Sequence, residues 1–271
     1  MKKWLLVLFV FVNTGISFAQ KDAALQYFDG MDSCFLLYNM KTQAFEKVIG
    51  ERRCRERLSP CSTFKVPLAV MAFDSAALKD EGQILKWDGK INTREVANHD
   101  QNAKTWMKDS IVWFSQRLTP QIGEKKLKDY LQAFHYGNED MSAGIAQAWL
   151  IQPDAKGPAL KVSGYEQVDF LKALWTGTLP VSQRALQMTK DITYLETSPN
   201  GFRLNGKTGS SYYSNGGNKR LGWFIAHIDN GVKEYIVVTN FSDVIDNKES
   251  AYGGVKAKEI TKKILIDQGL W

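Results

Sequence analysis

Histidine and cysteine are scarce in this 271-residue sequence, with three of each. His99, His135 and His227 lie far apart, and no CxxC, HExxH or His-x-His spacing exists. A metal centre needs several close ligands, so the pattern argues against a metal as the basis of function. No apolar run beyond the first twenty residues approaches the roughly 18 residues of a membrane span. The 21 glycines and seven prolines form no repeat or low-complexity tract, which excludes collagen-like and linker-rich chains. The net charge of +6 has no clustered basic stripe behind it, so nucleic acid is not an expected partner. Lys and Glu alternate through 123–129 and 256–263, which reads as solvated helix faces. Hydrophobic content of 44% and charged content of 24% are those of a soluble globular protein.

Lys2 and Lys3 precede an apolar stretch, Trp4 to Val12, and Ser17-Phe18-Ala19 forms a small-x-small cleavage site. That is the layout of a secretory signal peptide over residues 1–19. Cleavage after Ala19 removes two lysines and no acid, so +6 becomes +4. The expected location is periplasmic, without stable membrane association; an uncleaved anchor is the alternative. Residues 20–271 are expected to form a single domain, long enough for one large core or two packed subdomains. An exported compartment permits a disulfide. Three cysteines allow three single pairings. Cys34–Cys54 is favoured, because each lies near one end of a plausible N-terminal β-hairpin. Cys61 is then a free, buried thiol.

Residues 33–39 and 43–49 read as two strands of a meander. Helical periodicity follows over Ser62–Leu78, Lys104–Gln116, Thr119–Phe134, Tyr165–Trp175 and Ser182–Asp191. Pro67 fits only the first turns of its helix. Pro120 and Glu124 suit the first turn of theirs. Strand texture returns at Ile192–Glu196, Arg203–Thr208, Leu221–Ile228 and Glu234–Phe241, with a hairpin signal at Asp229-Asn230-Gly231. Lys256–Gln268 closes the chain as an amphipathic helix. The order predicts an α+β fold: an antiparallel sheet built from about 20–60 and 192–271, with an inserted helical region over about 61–191. Any active site belongs in the cleft between them.

Ser62-Thr63-Phe64-Lys65 is an S-x-x-K at a predicted helix start. Residues three apart share a helix face, so the Lys nitrogen can reach the Ser hydroxyl and serve as its base. Read alone, the motif is weak, and a Ser62 that caps the helix is the favoured reading. Lys207-Thr208-Gly209 ends a predicted strand, where a cation, a hydroxyl and a bare backbone can hold a carboxylate. Ser110-Ile111-Val112 sits within a predicted helix, and Tyr136-Gly137-Asn138 just past one, as a helix terminator with a left-handed cap. Gly201 to Thr208 also spells the phosphate-binding loop pattern. That chemistry requires a helix after Thr208, and GSSYYSNGG cannot begin one.

Taken in order, STFK, SIV, YGN and KTG resemble the motif set of the class D β-lactamases, the oxacillinases. Pro60, the Lys104-Thr105-Trp106-Met107 run, Trp113 and Gly222-Trp223-Phe224 extend the resemblance over the whole mature chain. It implies the serine β-lactamase and penicillin-binding-protein transpeptidase fold, and a small-molecule β-lactam as substrate. It implies Ser62 as the acylated nucleophile and Lys65 as general base, carboxylated by carbon dioxide, with no other cofactor. Ser110 would pass a proton to the leaving nitrogen. Lys207, Thr208, Gly209 and Ser210 would bind substrate, the N–H groups of Ser62 and Ser210 forming the oxyanion hole. Val112 and Trp149 would support the carbamate, and Tyr136 and Asn138 would shape the site. Many members place an arginine on or after the last strand to bind the substrate carboxylate, but here no Arg follows Arg220. Lys256, Lys258 or hydroxyls of Thr208, Ser211 and Ser214 are the candidates left, and Tyr212 and Tyr213 are expected to line the cleft. A β-lactam sensor that stays acylated and a peptidoglycan transpeptidase are the competing readings.

Overall fold

The segment Ser-Cys-Phe-Leu-Leu-Tyr at 33–38 is apolar on both faces of a strand, so the sheet that takes it must be covered on both sides. The computed structural model describes residues 23–150, 160–213, 219–244 and 253–271. Residues 1–19, Ser214 and the side chains of Tyr212 and Tyr213 lie outside the described residues. The chain begins with β1 (Asp32–Asn39), β2 (Ala44–Ile49) and a short helix α1 (Glu51–Arg55). The helical block follows: α2 (Lys65–Asp74), α3 (Ala103–Asp109), α4 (Val112–Ile122), α5 (Glu124–Ala133), α6 (Gly164–Thr176) and α7 (Gln183–Ile192). It ends with β3 (Tyr194–Thr197), β4 (Arg203–Tyr213), β5 (Lys219–Asp229), β6 (Glu234–Val244) and α8 (Gly253–Asp267).

The six strands form one antiparallel sheet in the order β2-β1-β6-β5-β4-β3. Both ends of the chain therefore build the sheet, as the α+β expectation requires. Cys34, Leu36 and Tyr38 alternate with Phe35 and Leu37 along β1. The first set joins Trp223, Ile225 and Val238 in the core shared with the helical block. The second joins Phe224, Val237 and Phe241 under α8 and the 3-10 turn Ala23–Phe28. Between the sheet and the outer helices runs α2, whose residues Lys65 to Phe73 are all buried. A helix apolar all round belongs in such a place.

Several boundaries differ from the sequence reading. The expected helix from Ser62 is a 3-10 turn, Cys61–Phe64, followed by α2 from Lys65. Ser62 caps nothing, and Pro67 falls in the first turn of α2. The expected helix Lys104–Gln116 is two helices that break at Ser110, which is left-handed at φ 57°. α4 then runs through Thr119 and Pro120, so Pro120 sits in its last turn; Gly123, at φ 89°, separates it from α5. The left-handed cap of α5 falls on His135 rather than Gly137. Gly137 also has positive φ, and there a Cβ would run into the Lys161 carbonyl. β4 continues to Tyr213, so Gly201–Thr208 has no following helix and cannot act as a phosphate loop.

Cys34 and Cys54 are disulfide-bonded and Cys61 is free and buried. The bridge joins β1 to α1 across 20 residues of sequence. Closing a loop of that size stabilises by about 3 kcal/mol. Replacing both Cys34 and Cys54 with alanine should lower Tm by about 6–12 °C. An unchanged Tm in a calorimetric scan would show that the bridge is dispensable.

Candidate active site

Two left-handed non-glycine residues bracket the candidate site, Cys61 at φ 51° and Ser110 at φ 57°. Such conformations cost about 1–3 kcal/mol each and persist only where the surroundings enforce them. At the first, Thr63 Oγ1 donates to the Pro60 carbonyl at 2.7 Å, and Ser59 Oγ donates to the Trp149 carbonyl at 2.8 Å. Trp223 Nε1 ties the Ser59 carbonyl to β5 at 3.0 Å. These bonds pin the turn that carries Ser62. At the second, α3 ends abruptly, and Ser110 falls on the wall of the same cavity.

That cavity holds about 410 Å³. Ser62, Ser110 and Val112 line one part of it, and Thr208 and Ser210 of β4 line another. Arg94, Lys108, Asp109 and Val255 complete the wall, and the sequence reading singled out none of them. Lys65 Nζ donates to Ser62 Oγ at 3.1 Å from beneath. The offset of three residues places them one turn apart, as the S-x-x-K spacing predicts.

β4 reaches the nucleophile because its edge is open there. β3 pairs with β4 only as far as Asn205. Beyond it the strand packs directly on the Ser62 turn, and Gly209 makes this possible. A Cβ on Gly209 would stand 3.0 Å from the Pro60 carbonyl and 3.1 Å from Thr63 Cγ2. Behind the strand, Gly254 N–H donates to Ser210 Oγ at 2.9 Å, so the start of α8 holds Ser210 in place.

Electrostatics set Lys65 apart. It is fully buried, and desolvation drives its pKa well below the ordinary lysine value, with the charges of Lys207 and Arg94 pushing the same way. Burial favours the neutral amine, which can accept a proton. Burial and Arg94 pull Lys207 down to about 7, while Asp109 opposes them. Lys207 Nζ donates to the Thr208 carbonyl at 3.1 Å. Burial pushes the Cys61 thiol up to about 12.

Trp149 lies beneath the nucleophile turn, fully buried and stacked on Phe64 with ring centroids 5.2 Å apart. Its Nε1 has no hydrogen-bond partner among the described residues. A buried unpaired donor is costly and calls for an acceptor. Tyr136 does not reach the cavity. It is buried against Phe64, and its hydroxyl donates to Gln167 Oε1 at 3.4 Å. Gln167 Nε2 donates in turn to Thr63 Oγ1 at 3.0 Å, so Tyr136 acts on the turn at one remove. Asn138 is farther still: its Oδ1 accepts from Lys161 N–H at 2.7 Å and fixes the 136–139 turn. Lys256 and Lys258 are committed elsewhere, to Asp243 at 3.3 Å and Glu196 at 2.8 Å. Among the described residues no group of His, Cys, Asp and Glu is arranged to hold a metal, and no helix is long and apolar enough to cross a membrane.

Residues 34–266 match the penicillin binding protein transpeptidase domain. Beta-lactamase OXA-1 of Escherichia coli is 38% identical over 203 residues, which covers 73% of this chain and 71% of that one. The structure of class D beta-lactamase BAT-2 is similar at a TM-score of 0.80 and 33% identity, over 93% of this chain and 97% of its own. The C-terminal domain of the Bacillus licheniformis BlaR penicillin-receptor is similar at 0.82 and 30% identity, over 92% and 95%. A buried lysine facing a serine, an open strand edge beside them and these likenesses converge: the chain belongs to the class D β-lactamases, hydrolases of the β-lactam amide built on the transpeptidase fold.

Proposed function

We propose that the protein hydrolyses penicillins in the periplasm, after removal of residues 1–19, through an acyl-enzyme on Ser62. The observation that carries this reading is the 3.1 Å contact between the buried Lys65 amine and Ser62 Oγ. A neutral Lys65 removes the Ser62 proton as Oγ bonds to the β-lactam carbonyl carbon. The C–N bond of the ring breaks, and Ser110 passes a proton to the departing nitrogen. Water then attacks the ester and frees Ser62. The N–H groups of Ser62 and Ser210 stabilise the oxyanion. In support, Gly206 N–H donates to Thr193 on the β3 side of β4. Alternate residues share a strand edge, so the Ser210 N–H faces that same open side. Lys207 and Thr208 hold the substrate, and Gly209 keeps the strand close. Tyr136 and Asn138 shape the site through the turns they fix.

The pocket also suits a carboxylated Lys65. The amine is buried in surroundings that favour its neutral form, Val112 lines the cavity, and the Trp149 N–H lacks an acceptor among the described residues. The carbamate would supply an anionic general base that is deprotonated at neutral pH and that acid removes. Added bicarbonate should therefore raise initial rates at acidic pH; rates that ignore bicarbonate there would remove the carbamate.

The pH profile should be bell-shaped. Lowering pH protonates Lys65, removes the base and lowers kcat. Raising pH through about 7 neutralises free Lys207, weakens its hold on an anion and raises KM. A KM flat across that range would dismiss Lys207 as the anion's partner.

The likeness to the BlaR penicillin-receptor domain favours a second reading, a sensor that stays acylated. An intact-mass time course with benzylpenicillin separates the two. A transient adduct with accumulating product supports the hydrolase. A long-lived adduct on Ser62 supports the sensor.

A further inference from the structure

Lys207 is one cation for the substrate carboxylate, and among the described residues no residue after β4 brings a second one to the cavity wall. Arg220 is buried and grips Asp243 with Nε at 2.9 Å and Nη2 at 2.5 Å. Lys256 and Lys258 are paired with carboxylates, as described above. A second charge without an ion pair among the described residues stands on the other wall. Arg94 lines the cavity with Ser62 and Thr208. Its Nη2 donates to the Asp109 carbonyl at 2.7 Å, and it makes no ion pair among the described residues. A carbonyl orients the guanidinium without neutralising it, and the remaining N–H groups keep their fork.

The segment that carries Arg94 is fixed. Asn92 N–H donates to Asn98 Oδ1 at 2.7 Å, and Asn98 Nδ2 donates back to the Asn92 carbonyl at 3.0 Å. Trp113 Nε1 of α4 donates to the Ala97 carbonyl at 2.8 Å. A binding group held in place beforehand loses little entropy on capture of its ligand. Lys108 lines the same wall from α3, but no hydrogen bond or ion pair among the described residues orients its side chain.

We propose that Arg94, presented by the segment between α2 and α3 and steered by the Asp109 carbonyl, binds the ring carboxylate of the β-lactam in place of a late-strand arginine. The proposal rests on the hydrolase reading above. It makes Arg94 a specificity residue: substrates that carry the free carboxylate gain from it, and neutral esters do not. The effect of Arg94 on Lys207 is the same field felt by a neighbouring cation, which an anion between them would relieve.

The test compares benzylpenicillin with its methyl ester on the full-length protein. Arg94→Ala should raise KM for the acid by about 10- to 100-fold more than KM for the ester, while any change in kcat through Lys65 falls on both substrates alike. Arg94→Lys should recover only part, because an ammonium cannot form a two-toothed contact. Equal losses on acid and ester, or no change on either, would overturn the role of Arg94 alone. A wild-type protein that neither forms an adduct nor releases product would overturn this proposal together with the hydrolase reading.

Discussion

Lys65→Met should abolish turnover while leaving the protein folded and more stable. The loss follows from the 3.1 Å contact: without the amine, nothing buried beside Ser62 Oγ accepts its proton. General-base removal costs about 10²–10⁴-fold, and if Lys65 is carboxylated and acts in both half-reactions the loss lies at the upper end. The gain in stability follows from linkage. The Lys65 pKa is lower in the folded state than in the unfolded chain. Between those two values the unfolded state binds the extra proton, so stability falls as pH falls through that window. At neutral pH the wild-type protein carries that penalty, and methionine of similar length does not. Initial rates with benzylpenicillin and thermal scans at neutral pH check both halves. Retained turnover would dismiss Lys65 as the base.

Trp149→Phe should lengthen the life of the acyl-enzyme by about 10²-fold, with a smaller effect on its formation. Phenylalanine keeps an aromatic ring on Phe64 and removes the N–H that has no acceptor among the described residues, at the cost of a smaller ring in the core. If that N–H holds a carboxylated Lys65, its loss favours the bare amine, and water attack on the ester slows most. The variant should also need more bicarbonate to reach full rate. Loss of an unpaired donor offsets part of the cost of the smaller ring, so the variant should stay folded with a modest drop in Tm. Intact-mass spectra after a pulse of benzylpenicillin read the lifetime. A wild-type decay rate would take Trp149 out of the reaction.

How much of this was visible in the sequence depended on how local each feature is. Two residues at i and i+3, or three consecutive residues on a strand, keep their relation whatever surrounds them. Ser62 with Lys65, and Lys207 with Thr208 and Gly209, were therefore legible. The order of strands and helices was legible too, because β1, β5 and β6 are short continuous apolar runs bounded by turn residues. The break at Ser110 was not. A serine in the left-handed region has no compositional mark, and the apolar pattern runs on from Trp106 to Phe114. Arg94 was hidden for another reason. The segment between α2 and α3 is held by Asn side chains and turns, without period. Nothing local says that it folds back over Asp109. Tyr136 was read as near the site and is near it, yet it works through Gln167 and Thr63, a chain of contacts only tertiary structure creates.

The odd cysteine has a consequence for the life history of the chain. Disulfide exchange needs a thiolate, and burial holds Cys61 as the thiol, with its ionisation pushed up to about 12. Once the nucleophile turn is closed, Cys61 can neither attack the Cys34–Cys54 bridge nor be captured by an external oxidant. The only interval in which it can mispair is the one before that turn forms. An oxidising compartment thus tests this protein during folding and not afterwards. Errors should appear as scrambled monomers among newly made chains, and not as a slow decay of finished ones.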